Sequence, residues 1–135
     1  MIAYVDASAA AKLLSQEAES AGVGALFDSF AEREETLLAG RLIETELRRI
    51  AVRESVSQDS VTQLLGRLAI VELDAGVYRS AGLLPGPRLR SLDALHLATA
   101  LRVGADAMIT FDERLEQACE SVGLPVLAIP TTEPR

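Results

Sequence analysis

The sequence has few residues that could form covalent cross-links or soft-metal sites. It contains one cysteine, one histidine and no tryptophan in 135 residues. Cys119 lies in a helical pattern between Leu115 and Val122. A single cysteine supports neither a disulfide framework nor a thiolate metal site, so we interpret it as a small core residue.

Long apolar runs and an excess of basic charge are also absent. No apolar run approaches the roughly 18 residues of a membrane span, and no basic region precedes an apolar one after Met1. We therefore expect a soluble, cytoplasmic protein with no membrane partner. The net charge is −7, and Lys12 is the only lysine. Any nucleic-acid site must therefore be local.

What the chain has is enough apolar material for one core. Hydrophobic residues make up 49% of the 135 residues, a length and composition typical of one domain, which we place at 1–135. The polar tail 131–135 is too short to form a domain of its own.

Short apolar runs alternate with helical patterns along the chain. The runs predict strands at 2–5, 36–39, 69–73, 106–111 and 126–129. Helices are predicted at 7–15, 17–31, 41–53, 57–68 and 75–84, with glycines at 22 and 24 weakening the second. This alternation favours a parallel sheet with helices on both faces, an α/β fold of three layers.

A further helix is predicted from Ser91, which is suited to cap its first turn. Residues with three- and four-residue spacing support it, and Gly104 ends it. Asp112 follows the fourth strand and is suited to cap the next helix.

Acidic residues follow the carboxyl ends of the predicted strands. Asp6 follows the first strand, Asp112 the fourth, and Asp93 opens the helix that leads into the fourth. In a parallel sheet these ends meet at one edge, where ligands bind. Asp106 lies at the opposite edge, and Asp74 is better explained as a helix cap. Taken singly, each acid could be only a cap.

The helix at 41–53 adds one acid to this set. Glu46 lies four residues after Leu42 and four before Ile50, within the apolar stripe, whereas Glu44 faces outward with Arg48 as its partner. A charge in a buried stripe needs a partner or a metal. The alternative is that Glu46 extends to an arginine of its own helix.

Four segments carry a resemblance to a known family. They are YVDASAAAKL, ETELRR, LRSLDALHLATAL and ITFDERL, and they come in that order between about residues 2 and 129. Together they resemble the PIN-domain family and, within it, the VapC-type toxins of bacterial toxin–antitoxin pairs.

The resemblance implies a site, a fold and partners. It implies that Asp6, Glu46, Asp93 and Asp112 form an acidic metal site supported by Thr110. It also implies a parallel sheet of order 3-2-1-4-5, Mg²⁺ or Mn²⁺ as cofactor, RNA as substrate and a VapB-like antitoxin. We further expect a homodimer. Relatives commonly have serine where this chain has Gly40, so hydroxyl support from the second strand is in doubt.

The predicted activity is metal-dependent hydrolysis of RNA phosphodiesters by an endoribonuclease toxin. Hard divalent cations prefer carboxylate oxygens and water, usually with few direct carboxylates. We assign Asp6 and Asp112 as direct ligands. Asp93 belongs to the metal set, and it or Glu46 holds water or acts as base.

Other polar residues have weaker claims, and for each a structural explanation competes. Ser8 could orient Asp6 or cap its own helix. Lys12, Arg88 and Arg90 could bind RNA phosphates or be solvated. His96 lies one turn from Asp93, and packing is the favoured interpretation.

Three alternative functions were weighed. A phosphoacceptor domain needs an acidic pair after the first strand and a later lysine, and an Asp-nucleophile phosphatase needs an acid at position 8, which is Ser8. A non-catalytic PIN-like module that binds RNA or protein is the remaining alternative, although we would expect its acids to be eroded.

Overall fold

A parallel four-stranded sheet forms the middle layer of the structure, a computed structural model that describes residues 1–130. The strands are β1 (Ile2–Val5), β2 (Thr36–Gly40), β3 (Ala69–Val71) and β4 (Ala107–Ile109). Their order is β3-β2-β1-β4, and every pairing is parallel. The order of the first four strands is confirmed; the predicted polar tail lies outside the described residues.

The fifth predicted strand, at 126–129, is reduced to a single bridge. Val126 pairs with Met108 beside β4, where the Met108 N–H donates to the Pro125 carbonyl at 2.8 Å and the Leu127 N–H donates to the Met108 carbonyl at 2.9 Å. Proline has no N–H for a ladder, and Leu127 and Ile129 pack into the core instead. The position next to β4 was predicted correctly, but the strand was not.

Seven α-helices cover the two faces of the sheet within residues 1–130. They are α1 (Ala7–Ala10), α2 (Ser20–Glu32), α3 (Leu42–Glu54), α4 (Gln58–Leu65), α5 (Ala75–Leu83), α6 (Ser91–Arg102) and α7 (Glu113–Ser121). The predicted first helix is split, because the chain tightens to a 3-10 turn at Ala11–Leu14. No helix in this part of the chain is long and apolar enough to cross a membrane.

The alternation of side chains along β1 builds two cores. Ala3 and Val5 point to one face and pack with residues of α2, α3 and α4. Tyr4 points to the other face and packs with residues of α6 and α7. All three side chains are fully buried, as predicted for a strand covered on both faces.

The predicted helix caps and the predicted stop at Gly104 are confirmed, with one exception, although α2 begins three residues later and α4 ends three residues earlier than predicted. Asp74 and Asp112 are N-caps whose carboxylates accept backbone N–H groups, and Gly104, at φ 69°, follows the end of α6. Ser91, however, does not cap α6. Arg90 holds the extended cap position without a side-chain hydrogen bond, so Ser91 is already the first helical residue.

The two glycines early in α2 differ in what surrounds them. A Cβ on Gly22 would lie 2.2 Å from the Pro130 carbonyl oxygen and 2.8 Å from the Ile129 side chain. A Cβ on Gly24 would meet only Leu13, at an ordinary 3.7 Å. Gly22 therefore allows the C-terminal segment to approach α2, while Gly24 has no such role.

We expect opposite effects from the two Gly→Ala substitutions. Gly24→Ala should raise the free energy of unfolding by about 0.5–1 kcal/mol, because alanine is the better helix former. Gly22→Ala should lower it, because residues 129 and 130 must move away. Urea denaturation of both variants measures the difference. Equal stabilisation by both would show that the C-terminal segment does not pack here.

Candidate functional site

Asp6 lies at the carboxyl end of β1 and is 3% exposed. Its carboxylate caps α1 by accepting the Ala9 N–H at 3.0 Å. It also accepts hydrogen bonds from the Thr110 hydroxyl at 2.6 Å and from the Ser8 hydroxyl at 2.8 and 3.0 Å. These contacts give the buried carboxylate a fixed orientation.

Two opposing effects act on the pKa of Asp6. Burial raises it, because the charged form loses its hydration, while the donors Thr110, Ser8 and the Ala9 N–H lower it. The balance is a raised pKa. The pocket thus holds the carboxylate in place without fully compensating its charge.

Thr110 connects Asp6 to Asp112. The Asp112 N–H donates to the Thr110 hydroxyl oxygen at 3.0 Å, while that hydroxyl donates to Asp6. The Asp112 carboxylate caps α7 by accepting the N–H groups of Arg114 and Leu115 at 2.8 and 3.1 Å. One threonine thus ties the end of β1 to the start of α7.

Ser8 does not cap its own helix, since Asp6 does. Its hydroxyl instead donates to Asp6 and accepts the Phe111 N–H at 2.9 Å. Of the two explanations offered for Ser8, the geometry matches the one in which it orients Asp6.

Asp93 lies in the first turn of α6, and the charges of the other acids affect its pKa. Its pKa is raised to about 6, first by burial and then by the charges of Asp112 and Asp6, with a smaller contribution from Glu46. A nearby His96 acts in the opposite direction. Asp93 is therefore close enough to each of the other three predicted acids to be repelled by it.

The phase predicted for α3 is confirmed. Glu44 faces outward and pairs with Arg48 at 3.0 Å and with Arg41 at 3.2 Å. Glu46 faces inward with 20% of its side chain exposed, and its partner is the His96 Nε2 at 2.6 Å. It does not extend to an arginine of its own helix.

His96 is packed, as favoured, but it is also hydrogen-bonded on both ring nitrogens. It is 1% exposed, and its Nδ1 lies 2.5 Å from the Tyr4 hydroxyl. Burial raises the pKa of Tyr4, and the Gly40 N–H bonded to it acts in the opposite direction.

The sequence analysis did not identify Tyr4 as part of the site. A buried tyrosine in a strand that otherwise holds only aliphatic residues was the available signal, because its hydroxyl must find a partner.

The basic residues near the acids differ in their exposure to solvent and in whether they form ion pairs. Lys12 is not simply solvated, since it pairs with Glu17 at 3.2 Å and with Glu19 at 3.8 Å and lies over the Phe111 ring at 5.3 Å. Arg88 and Arg90 are both exposed.

One cavity brings two arginines beside a candidate acid. Its volume is about 390 Å³, and Arg88 and Arg114 line it together with Asp112, Glu113, Phe111 and Gln117. Arg114 was not predicted, and its position in the first turn of a helix capped by a candidate acid was the only signal.

Asp106 and Asp74, which were not assigned to the site, lie away from the part of the carboxyl edge where Asp6 and Asp112 meet. Asp106 accepts the Ile2 N–H at 2.8 Å, at the amino end of the strands. Asp74 caps α5 and pairs with Arg102 at 3.0 Å, beyond the edge strand β3.

The acidic set fits a hard divalent cation by chemistry, though not as a closed cage. Among residues 1–130, no three His, Cys, Asp or Glu side chains converge tightly enough to enclose an ion. The donors are nonetheless all carboxylate oxygens, and their mutual repulsion at Asp93 is what a cation would relieve. Mg²⁺ keeps several waters and needs only one or two direct carboxylates, so an open arrangement suits it.

We expect Asp93→Asn to raise the melting temperature of metal-free protein at pH 7. A carboxyl whose pKa is raised to about 6 by folding binds a proton more tightly in the folded state. Stability is therefore lost as pH rises from about 4 to about 6, and the variant should lack this loss. Thermal melts in a chelator between pH 4 and pH 8 measure it.

Asp59→Asn is the matched control, because Asp59 also lies in the first turn of its helix. It should leave the melting temperature unchanged or slightly lower, since only the favourable interaction with the helix dipole is lost. A fall with Asp93→Asn as large as with Asp59→Asn would mean that Asp93 acts mainly as a helix-start residue.

Comparison with known proteins gives consistent matches over nearly the whole chain. The PIN domain family profile matches residues 3–121. Ribonuclease VapC35 of Mycobacterium tuberculosis is 41% identical over 133 residues, which cover 93% of this chain and 95% of the relative. Ribonuclease VapC46 of the same species is 32% identical over 127 residues, with the same coverage of 93% and 95%.

Solved structures agree on the fold. The crystal structure of M. tuberculosis VapC20, described as a Sarcin-Ricin loop cleaving toxin, superposes with a TM-score of 0.74 at 17% identity, covering 95% of this chain and 99% of that one. VapBC2 from Rickettsia felis, bound to a promoter DNA fragment, gives 0.73 at 15% identity, with 96% and 100% covered. The chain therefore belongs to the PIN-domain family and, within it, to the VapC type.

Proposed function

We propose that this protein is a divalent-metal-dependent endoribonuclease that acts as the toxin of a toxin–antitoxin pair. The observation that carries the proposal is the geometry at the carboxyl edge of the sheet, where the Thr110 hydroxyl donates to Asp6 and accepts the Asp112 N–H. The raised pKa of Asp93, to which burial and then the charges of Asp112, Asp6 and Glu46 contribute, supports it. Such a site suits hydrolysis of a phosphodiester. The ribonuclease names of relatives up to 41% identical support RNA as substrate.

Mg²⁺ or Mn²⁺ is the cofactor of this proposal. Bound there, the cation supplies a Lewis acid for water and neutralises charge on the phosphate oxygens. Asp6 and Asp112 would hold it directly, since hydrogen bonds from Thr110 and backbone N–H groups fix their orientation. Asp93 belongs to the same set and, like Glu46, would hold water. One of these two accepts the proton of the attacking water.

The substrate would enter beside Asp112. Arg88 and Arg114 line the cavity next to this acid, and a guanidinium can bind a phosphate with two hydrogen bonds. Arg90, at the start of α6, would contact a neighbouring phosphate. Lys12 could contribute only by leaving Glu17. These arginines would provide the local positive charge that a protein of net charge −7 needs to bind RNA, although Asp112 and Glu113 line the same cavity.

Purified protein should cleave RNA only when Mg²⁺ or Mn²⁺ is present, and Asp6→Asn should abolish cleavage. The fold should survive this change, because burial already favours the neutral form of this side chain. A fluorogenic RNA assay measures cleavage, and circular dichroism checks the fold. Undiminished cleavage in excess EDTA would rule out the metal mechanism.

The two glutamates of α3 provide an internal control for the same assay. Glu46→Gln should reduce cleavage strongly, whereas Glu44→Gln should cost only the few tenths of a kcal/mol of stability that an i,i+4 ion pair contributes. The reverse ranking would place the active site elsewhere.

The toxin role requires a partner that silences the enzyme. We infer an antitoxin with a basic, initially disordered segment, because an arginine or lysine could pair with the acids where the cation would bind. Apolar helix faces near the acids could hold the rest of that segment in a groove. The fold resemblance to VapBC2 of R. felis is consistent with this partner.

The inhibitor and the cation should compete. Affinity for an antitoxin-derived basic peptide should fall as Mn²⁺ is titrated in, as measured by calorimetry. An affinity independent of metal, in a complex that still blocks cleavage, would mean that the inhibitor obstructs RNA entry instead.

The predicted homodimer is a separate expectation. Light scattering on the same samples measures the oligomeric state.

A further inference from the structure

We propose that Tyr4 and His96 are positioning residues that hold Glu46 in the candidate site. They form a chain of hydrogen bonds that begins at the Gly40 backbone and ends at the Glu46 carboxylate. The inference rests on the proposed function, in which Glu46 is one of the four acids.

The chain of hydrogen bonds crosses four elements of the fold. The Gly40 N–H at the end of β2 donates to the Tyr4 hydroxyl oxygen at 2.9 Å. That hydroxyl lies 2.5 Å from the Nδ1 of His96 on α6, and the Nε2 of His96 lies 2.6 Å from a Glu46 oxygen on α3. The Tyr4 and His96 rings meet edge to face, with centroids 5.5 Å apart.

The donor and acceptor roles follow from the two ends of this series of hydrogen bonds. An ionised carboxylate can only accept, so the ring proton lies on Nε2 and is donated to Glu46. The Nδ1 then accepts from the Tyr4 hydroxyl, whose oxygen accepts the Gly40 N–H. The hydrogen bonds thus select one tautomer of the imidazole, as partners on the second nitrogen do for metal-bound histidines.

Glu46 depends on this donor for its position. Within residues 1–130, His96 is the one side chain that hydrogen-bonds its carboxylate, while Arg48 and Arg53 pair with Glu44 and Glu54. The other acids nearby repel it. Without the Nε2 proton the carboxylate would rotate toward solvent, because 20% of the side chain is already exposed.

Gly40 is part of the same arrangement. A Cβ there would lie 2.9 Å from the Tyr4 hydroxyl and 2.9 Å from the Leu73 side chain. Any residue larger than glycine would displace the hydroxyl from Nδ1 or force Leu73 to move. At the position where relatives commonly have serine, Gly40 thus leaves room for the hydroxyl of Tyr4, which comes from β1.

The amino-acid composition allows a direct test, because the protein has one histidine and two tyrosines. In ¹⁵N-labelled, metal-free protein, the single imidazole should give the signals of the Nε2–H tautomer. Tyr4→Phe should convert them to a tautomer mixture and weaken Mn²⁺ binding by about tenfold in calorimetry. It should also lower kcat more than it changes KM for RNA. Tyr78→Phe is the control, since Tyr78 is 57% exposed on α5, and it should change none of these.

The outcomes separate the inference from the proposed function. An Nδ1–H tautomer in the unmodified protein, or Mn²⁺ binding by Tyr4→Phe equal to that of the unmodified protein, would overturn the inference even if RNA is cleaved. Failure of the unmodified protein to bind Mn²⁺ and cleave RNA would instead overturn the proposed function. If Tyr4→Phe does not fold, two variants of His96 decide the question together with the tautomer of the unmodified protein. His96→Leu, which has no donor, should weaken Mn²⁺ binding about tenfold, whereas His96→Gln, which keeps a donor, should restore most of it. Equal affinities of both variants and the unmodified protein would overturn the inference.

Discussion

The burial of one carboxylate at the end of the central strand determines much of this structure. Asp6 is 3% exposed, and a charge in that position is tolerated only because hydroxyl and backbone donors surround it. The donors come from α1 and from the residue after β4, so satisfying the carboxylate also fixes how these elements meet. The Thr110 hydroxyl also accepts the backbone N–H of Asp112, so the hydrogen bonds around Asp6 continue to Asp112. The same contacts that stabilise the fold therefore bring two candidate ligands together.

Repulsion among like charges is the cost of this arrangement. Structural acids in the chain are matched by arginines, as Glu44 is by Arg48 and Asp74 by Arg102. The acids at the carboxyl edge have no arginine in hydrogen-bond contact among the described residues. The pKa of Asp93 is raised first by burial and then by the charges of Asp112 and Asp6. Side chains selected only for stability would be paired or neutral. Several acids close together without an arginine partner are instead typical of a site that binds a cation, where function and stability conflict.

Much of the fold could be predicted because the local signals agreed with the tertiary ones. Apolar runs without polar alternation indicate strands buried on both faces, and Asp112 followed by a helical pattern marks a real boundary. The failures occurred where tertiary contacts override local preference. The last segment forms only a bridge with β4, because Leu127 and Ile129 pack against the core, and α6 begins at Ser91 without a side-chain cap. Neither outcome can be read from periodicity, because each depends on what the neighbouring element offers.

The candidate site divides along the same line. The stripe on α3 was enough to distinguish Glu46 from Glu44, because helical phase is a property of one element. The partner of Glu46 was not predictable, since it required knowing that α6 brings His96 across from α3. Tyr4 shows why the two problems are linked. It lies two residues before Asp6 and so points to the same side of β1, toward α6, where the acids also gather. One face of a single strand thus supplies both a candidate ligand and the hydroxyl that orients the histidine beside it.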